Sequence, residues 1–250
     1  MRKGFVALVS ILLASSLVPL FSAGDPFSFP VSTVILDAGH GGHDPGASAS
    51  YSFSGGTINE SDLTLDIAKR VLALLAVEKP ALQVVMTRTD DTYVSLAQRS
   101  QVAYSAPLPP KSSALFVSIH INSATTSDAV GFEILTKRQA KQVSLLDEQT
   151  PLANIALFAS LPSLELNRFL NQRNLYVAGT FAEVFSEKLI TSRSRGIKER
   201  DLYVLNASRV PSVLVEVGFL SNEDEAQKIL SPTWRQLVAH AITEAVIRCI

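Results

Sequence analysis

The sequence predicts a single α/β domain, and three observations support this prediction. Apolar runs of strand length alternate with amphipathic helical patterns from residue 31 to the C-terminus. The 250 residues, 47% of them apolar and 18% charged, supply enough apolar side chains for a sizeable buried core. No internal repeat interrupts the alternation. We therefore expect one sheet flanked by helices.

The predicted strands are short and rich in Val, Ile, Leu or Phe. They are Val31–Leu36, Gln83–Thr87, Ala114–Ile121, Gly131–Leu135, Leu202–Leu205 and Ser212–Val217. The predicted helices place apolar residues on one face. They are Ser61–Leu75, Ser95–Ser105, Gly179–Leu189 and Pro232–Ile247.

The amino end has the layout of a secretory signal peptide, with basic residues, an apolar segment and then small residues. We predict a signal peptide over residues 1–24, a linker over 25–30 and the folded domain over 31–250. The protein is then exported to the periplasm or cell envelope, with no membrane contact after cleavage. An uncleaved membrane anchor is the alternative, because the apolar stretch is near the minimum length for spanning a bilayer.

The charge pattern argues against nucleic acid as a partner. The formal net charge is −1, and no basic block is present. The local cluster Thr191–Arg200 is interpreted as a solvated loop. The single cysteine, Cys249, excludes an intrachain disulfide.

Two histidines lie at the ends of predicted strands. His40 follows the first strand within the glycine-rich stretch DAGHGGHDPGA, and His120 lies near the end of Ala114–Ile121. The carboxyl ends of strands in an open α/β sheet form the crevice where ligands bind. For His40 alone, a turn residue bonded to a nearby carbonyl is the alternative.

Glu60 adds a carboxylate at the start of the predicted helix Ser61–Leu75. Capping of that helix is the alternative interpretation. Two imidazoles and a carboxylate around an open position are the ligand set of catalytic zinc sites. His40, Glu60 and His120 are therefore candidate zinc ligands, provided that their segments converge.

Glu216 interrupts an apolar strand of Val and Leu residues. An ionised carboxylate in such a strand is costly unless it is paired or performs chemistry. Pairing with a buried arginine such as Arg88 is the alternative to a catalytic role. Arg88 itself is equally a candidate for binding a carboxylate or carbonyl of a substrate.

Two further polar residues, Asp37 and Asn122, lie within a few positions of the histidines. Residues near a metal commonly hydrogen-bond to its ligands and orient them. We expect this positioning role for Asp37 and Asn122, and capping of a turn is the alternative for each.

Five motifs follow one another along the chain: ILDAGHGGHDPGA, NESDLTLDIA, VVMTRTDDTYVSLAQRSQVA, FVSIHINSA and YVLNASRVPSVLVEVGFLSNEDE. Together they resemble the catalytic domain of zinc-dependent N-acetylmuramoyl-L-alanine amidases, the family of cell-division and spore-cell-wall amidases. The resemblance runs from about Val34 to the C-terminus, except in the middle segment. It implies an open, twisted, mostly parallel six-stranded sheet flanked by helices.

The resemblance also implies a peptidoglycan hydrolase. His40, Glu60 and His120 match the zinc ligands, and Glu216 matches the catalytic glutamate. The expected reaction is hydrolysis of the amide between N-acetylmuramic acid and the L-alanine of the stem peptide. The alternatives are an exported zinc peptidase acting on stem peptides and a non-catalytic wall-binding protein of the same fold.

The segment Thr136–Val177 is longer than a strand-to-helix connection requires. Division amidases of this family carry an inserted helix here that covers the zinc until a partner protein displaces it. We therefore predict an inhibitory insertion over 136–177, with Asp147, Glu148 and Glu165 as candidate carboxylates, and a protein activator. A surface loop or substrate-groove wall is the alternative.

Overall fold

The computed structural model describes residues 24–250 apart from residues 107, 110, 149 and 151, so the predicted signal peptide lies outside the described residues except for Gly24. The strands are β1 (Val31–Ala38), β2 (Ser48–Ser50), β3 (Thr57–Asn59), β4 (Gln83–Met86), β5 (Ser113–Asn122), β6 (Phe132–Lys137), β7 (Ser194–Arg200) and β8 (Ser212–Phe219). The helices are α1 (Glu60–Glu78), α2 (Leu96–Ser105), α3 (Leu152–Ala159), α4 (Ser163–Lys188), α5 (Tyr203–Ala207), α6 (Glu223–Leu230) and α7 (Pro232–Cys249). Within the described part of the chain, no helix is long and apolar enough to cross a membrane.

The main sheet has six strands in the order β4-β1-β5-β8-β6-β7. The first four of these are parallel to one another, whereas β6 is antiparallel to β8, and β7 is parallel to β6. Helices cover both faces, which is how a sheet rich in parallel strands buries its apolar residues. The predicted fold class, a single α/β domain with a mostly parallel six-stranded sheet, is confirmed.

The two faces of the sheet differ in their helices and in their polarity near the strand ends. Helices α1, α4 and α7 cover the larger apolar face, where Ile67, Val71 and Leu75 of α1 are fully buried. Helices α2 and α5 cover the smaller one. On this second face, side chains near the carboxyl ends of β1, β5 and β8 change from apolar to polar, and the candidate site lies there.

One predicted strand is wrong, because Leu202–Leu205 forms part of helix α5. Its two adjacent apolar residues, Val204 and Leu205, are both buried, and a short apolar run does not distinguish a strand from a helical turn. The sixth strand is instead β7, within the cluster Thr191–Arg200 that the charge pattern assigned to a solvated loop. β7 is an edge strand with four charged residues and a single large apolar one, Ile197, so it lacks an apolar signal.

The segment Thr136–Val177 is not one long loop. It contains the end of β6, helix α3 and the first half of α4, a helix predicted to begin only at Gly179. Phe158, Phe169 and neighbouring apolar residues form a separate small core with Phe27, whose ring lies 5.8 Å from that of Phe158. Residues 25–30, predicted as a linker, therefore pack against the domain through Phe27, which is only 4% exposed.

This small core should contribute measurably to stability. We expect Phe169→Ala to lower the free energy of unfolding by about 3–5 kcal/mol, because the truncation leaves a cavity among buried side chains. Leu164→Ala on the same helix is the control, since Leu164 is 74% exposed and its truncation should change stability by less than about 0.5 kcal/mol. Denaturant unfolding of the two variants tests this, and equal midpoints would contradict it.

Candidate metal centre

Three side chains from separate segments converge at the carboxyl end of the sheet. His40 lies in the loop after β1, Glu60 is the first residue of α1, and His120 is near the end of β5. Their ligating atoms all lie within 4.8 Å of one another. Glu60 Oε1 is 3.2 Å from His40 Nε2 and 2.9 Å from His120 Nδ1. The three predicted ligands are thus brought together.

This arrangement fits a metal ion. With zinc–ligand distances of about 2.0–2.2 Å, tetrahedral geometry places neighbouring donor atoms roughly 3.3 Å apart. The separations from Glu60 Oε1 to the two imidazole nitrogens are close to that value. Two imidazoles and one carboxylate without a thiolate suit zinc in a catalytic setting, with one position left for water.

The loop that carries His40 is held in a costly conformation. His40 has φ +61°, in the left-handed region that side chains other than glycine rarely adopt, at a cost of about 1–3 kcal/mol. Two buried arginines hold the carbonyls of this loop, since Arg99 Nη2 donates to His40 O at 2.6 Å and Arg88 Nη2 donates to Gly39 O at 2.8 Å. These hydrogen bonds offset the strain.

Two glycines leave room for the converging side chains. A Cβ at Gly39 would lie 2.4 Å from His120 Cε1, and one at Gly46 would lie 2.6 Å from both Glu60 Oε2 and His40 Cδ2. Gly46 also has φ +68°. The glycine-rich motif is therefore required by close packing around the imidazoles as well as by backbone geometry.

Asp44 is a functional neighbour that the sequence reasoning missed. Its Oδ2 lies 2.9 Å from His40 Nδ1, so this ring nitrogen carries the proton and Nε2 remains available as a ligand. Metal-binding histidines commonly donate their second ring N–H to a carboxylate in this way. The signal was present in the sequence, because Asp44 follows His40 by four residues within the Asp-Pro-Gly turn.

Glu60 is ionised and strongly held. Burial opposes its charge, but hydrogen bonds with His120 and His40 hold the pKa of its carboxyl well below the usual range. Backbone N–H groups of Ala47 and Ile121 also donate to it at 2.8 and 2.9 Å. Burial lowers the pKa of His120, but the interaction with Glu60 outweighs burial and raises that pKa to about 9.

Glu216 lies in an environment that favours its neutral form, unlike Glu60. It is in register with His120 on the neighbouring strand and with Glu133 on the other side, so the three side chains share a face of the sheet. Burial, together with the charges of Glu60 and Glu133, raises the pKa of Glu216 to about 7. Its Oε2 is buried, and none of the described residues hydrogen-bonds to it. A carboxyl in this state both accepts and releases a proton near neutral pH.

The expectations for Arg88 are not met. Arg88 is only 4% exposed, and it donates to the carbonyls of Ala38, Gly39 and Ser61 at 2.7–2.9 Å. It therefore neither pairs with Glu216 nor presents a free guanidinium to a substrate.

Asp37 and Asn122 both lack a hydrogen bond to the imidazoles. Asp37 is fully buried and accepts from Arg99, Ser118 and Thr87 at 2.7–2.8 Å, so it anchors the loop through Arg99. Asn122 instead contacts its neighbours, since its Oδ1 accepts from the N–H of Ser123 at 2.8 Å and its Nδ2 donates to Glu133 Oε2 at 3.5 Å.

The segment 136–177 does not lie over the histidines in this structure. Because β6 is antiparallel to β8, it begins beside Glu216 and runs toward the amino end of β8. There Asp147 pairs with Arg209, three residues before β8. Glu165 pairs with Arg168 in the first turns of α4, which pack with Phe27 ahead of β1. Two of the three candidate carboxylates thus have partners far from the histidines. The inhibitory role of this segment stays a prediction.

The fold and the site define a class of protein: an α/β domain with a mostly parallel six-stranded sheet and a possible two-histidine, one-glutamate metal centre at its strand ends. The family model for N-acetylmuramoyl-L-alanine amidase matches residues 34–248. The chain belongs to this family.

Curated relatives agree with this assignment. AmiB of Haemophilus influenzae, named as a probable N-acetylmuramoyl-L-alanine amidase, is 34% identical over 237 residues, which cover 88% of this chain but only 52% of AmiB. LytC of Bacillus subtilis, named as an N-acetylmuramoyl-L-alanine amidase, is 30% identical, with 86% of this chain and 35% of LytC covered. The uncharacterized protein YqiI of Bacillus subtilis is 32% identical, and the match covers 98% of this chain and 97% of YqiI. This chain thus spans about half or less of the two named amidases.

Solved structures have the same fold. An N-acetylmuramoyl-L-alanine amidase from Clostridium difficile 630 superposes with a TM-score of 0.67 and 29% identity over 87% of this chain and 96% of that one. The CwlD amidase from Clostridioides difficile, solved in complex with the GerS lipoprotein, superposes with a TM-score of 0.64 and 25% identity. This superposition covers 87% of this chain and 98% of that one. The six-stranded architecture described above is therefore that of the family.

Metal binding should depend on pH in a defined direction. Without metal, the pKa of His120 is about 9, so its imidazole is protonated at pH 7 and a metal ion must displace that proton. The apparent affinity for zinc should therefore rise between pH 6 and pH 9, by about tenfold per pH unit for each proton displaced. Competition with a chromophoric chelator, corrected for the chelator's own titration, measures this slope. An affinity for zinc that does not change between pH 6 and pH 9 would contradict the coupling.

Proposed function

We propose that this protein is an exported, zinc-dependent peptidoglycan hydrolase. It cleaves the amide between N-acetylmuramic acid and the L-alanine of the stem peptide. The observation that carries this proposal is the convergence of His40, Glu60 and His120 beside Glu216 in a chain that belongs to the amidase family.

His40 Nε2, Glu60 Oε1 and His120 Nδ1 are the proposed ligands of the zinc ion. A zinc ion bound there would act as a Lewis acid, which lowers the pKa of a water molecule and polarises a carbonyl. Glu216 takes a proton from the attacking water at Oε2 and delivers it to the nitrogen of the departing L-alanine. A pKa near 7 suits both transfers, because the carboxylate accepts the proton and the acid then gives it up.

Export and a protein partner are parts of the same proposal. The layout of residues 1–24 supports a signal peptide, and the name of a relative, the probable cell wall amidase LytH of Staphylococcus aureus, supports a location at the cell wall. The complex of CwlD with the GerS lipoprotein supports a protein partner for this chain, and we propose that this partner is an activator. The segment 136–177 lies at the other end of the sheet from the histidines, so the proposed activator acts elsewhere than through its displacement from the metal.

Digestion of purified peptidoglycan separates the proposed amidase from its rivals. We expect the zinc-loaded protein to release stem peptides that begin with L-alanine and to leave peptide-free glycan chains, both identified by mass spectrometry. Shortened stems attached to the glycan would instead indicate a peptidase. Binding without release of any fragment would indicate a non-catalytic wall-binding protein.

The role of Glu216 is testable by a substitution that preserves its shape. Glu216→Gln should retain the metal and the fold but lose about 10²–10⁴ in rate, which is the usual contribution of a positioned acid–base group. His120→Ala is the contrasting variant and should lose the metal itself, as elemental analysis would show. Near-normal turnover of Glu216→Gln would assign the proton transfer to another residue.

A further inference from the structure

A second charged cluster lies next to Glu216. Glu133 on β6 is 5% exposed, and Arg195 Nε and Lys198 Nζ from β7 both donate to its Oε1 at 2.5 Å. These ion pairs lower the pKa of Glu133 against the effect of burial, so the carboxylate is ionised. Two cations share one carboxylate, which leaves a net positive charge in the cluster.

The cluster continues the row of polar side chains that begins at the metal centre. His120, Glu216 and Glu133 are in register on adjacent strands and share one face of the sheet. With strands about 4.8 Å apart, the cationic groups gathered on Glu133 lie roughly 10 Å from the strand that carries His120. An extended peptide advances about 3.3–3.6 Å per residue, so this separation corresponds to about three residues.

Both cations retain donors for another partner. Arg195 uses only Nε on Glu133, and among the described residues nothing hydrogen-bonds to its two Nη atoms. Its guanidinium lies over the ring of Phe219, 4.9 Å from the centroid, which restrains its plane. The side chains of Arg195 and Lys198 are 30% and 28% exposed. A restrained guanidinium edge beside an ammonium group is suited to a carboxylate.

The other arginines near the site are fully engaged. Arg99 is 3% exposed and is bonded to Asp37 and to loop carbonyls, and Arg88 holds the same loop. The cleft beside the histidines is lined instead by exposed Tyr93, Leu96 and Tyr203. Among the described residues, the cations next to Glu216 with spare donors are therefore those of the Glu133 cluster.

We propose that Arg195 and Lys198 form a subsite for a free carboxylate of the substrate peptide, about three residues from the cleaved amide. This inference rests on the proposed function, because it assigns the direction in which the stem peptide leaves the metal centre: over Glu216 and Glu133 toward β7. Glu133 positions the two cations, and the substrate carboxylate binds to their remaining donors.

The test uses two synthetic muramyl tripeptides that differ only in whether the α-carboxylate of the third stem residue is free or amidated. With the zinc-loaded full chain, we expect a higher kcat/KM for the free acid. Arg195→Gln and Lys198→Gln should each lower kcat/KM for the free acid by about tenfold, mainly through KM, and should leave the amidated substrate nearly unchanged. Arg195→Lys keeps the charge and should recover part of the loss.

Arg168→Gln is the matched control, because Arg168 also pairs with a glutamate but lies at the opposite end of the sheet. It should alter neither substrate. Equal losses on both substrates in the Arg195 and Lys198 variants, or a wild type that does not distinguish the substrates, would overturn the subsite and leave the amidase proposal intact. A wild type that cleaves neither substrate nor peptidoglycan would overturn the proposed function itself, and the subsite with it.

Discussion

The site depends on a buried ion pair below it. Asp37 and Arg99 meet at 2.7 Å with side chains that are 0% and 4% exposed, and removing one partner of such a pair typically costs about 3–5 kcal/mol. The fixed guanidinium of Arg99 then holds the carbonyl of His40, whose backbone lies in the left-handed region. Arg88 secures the preceding residue. Two buried arginines thus fix the glycine-rich loop that carries His40, a candidate metal ligand.

Two carboxylates a short distance apart have opposite protonation behaviour because their neighbours differ. Glu60 lies between two imidazoles and accepts backbone N–H groups, so it remains charged. Glu216 is buried without a hydrogen-bond partner on Oε2 among the described residues, so its pKa lies near 7. Separation of two carboxyl pKa values by environment is how a single fold provides both a ligand and an acid–base group.

The reversal of strand direction between β8 and β6 has two consequences for the site. It places Glu133, at the start of β6, beside Glu216, and β7 then adds Arg195 and Lys198 to the same row. It also sends the segment that follows β6 to the far end of the sheet, away from the metal centre. One topological feature therefore both extends the site and separates segment 136–177 from it.

The α/β class, most of the strands and the candidate residues His40, Glu60, His120 and Glu216 are predictable from the sequence, because apolar periodicity and polar residues at strand ends are local signals. Strand pairing depends on partners far along the chain, so the folded structure was needed to show that helix α5 begins after Leu202 and that the charged edge strand β7 completes the sheet. The same holds for the buried arginines. The sequence does not distinguish an arginine whose guanidinium binds backbone carbonyls from one with donors available to a substrate. The two differ only in their neighbours after folding.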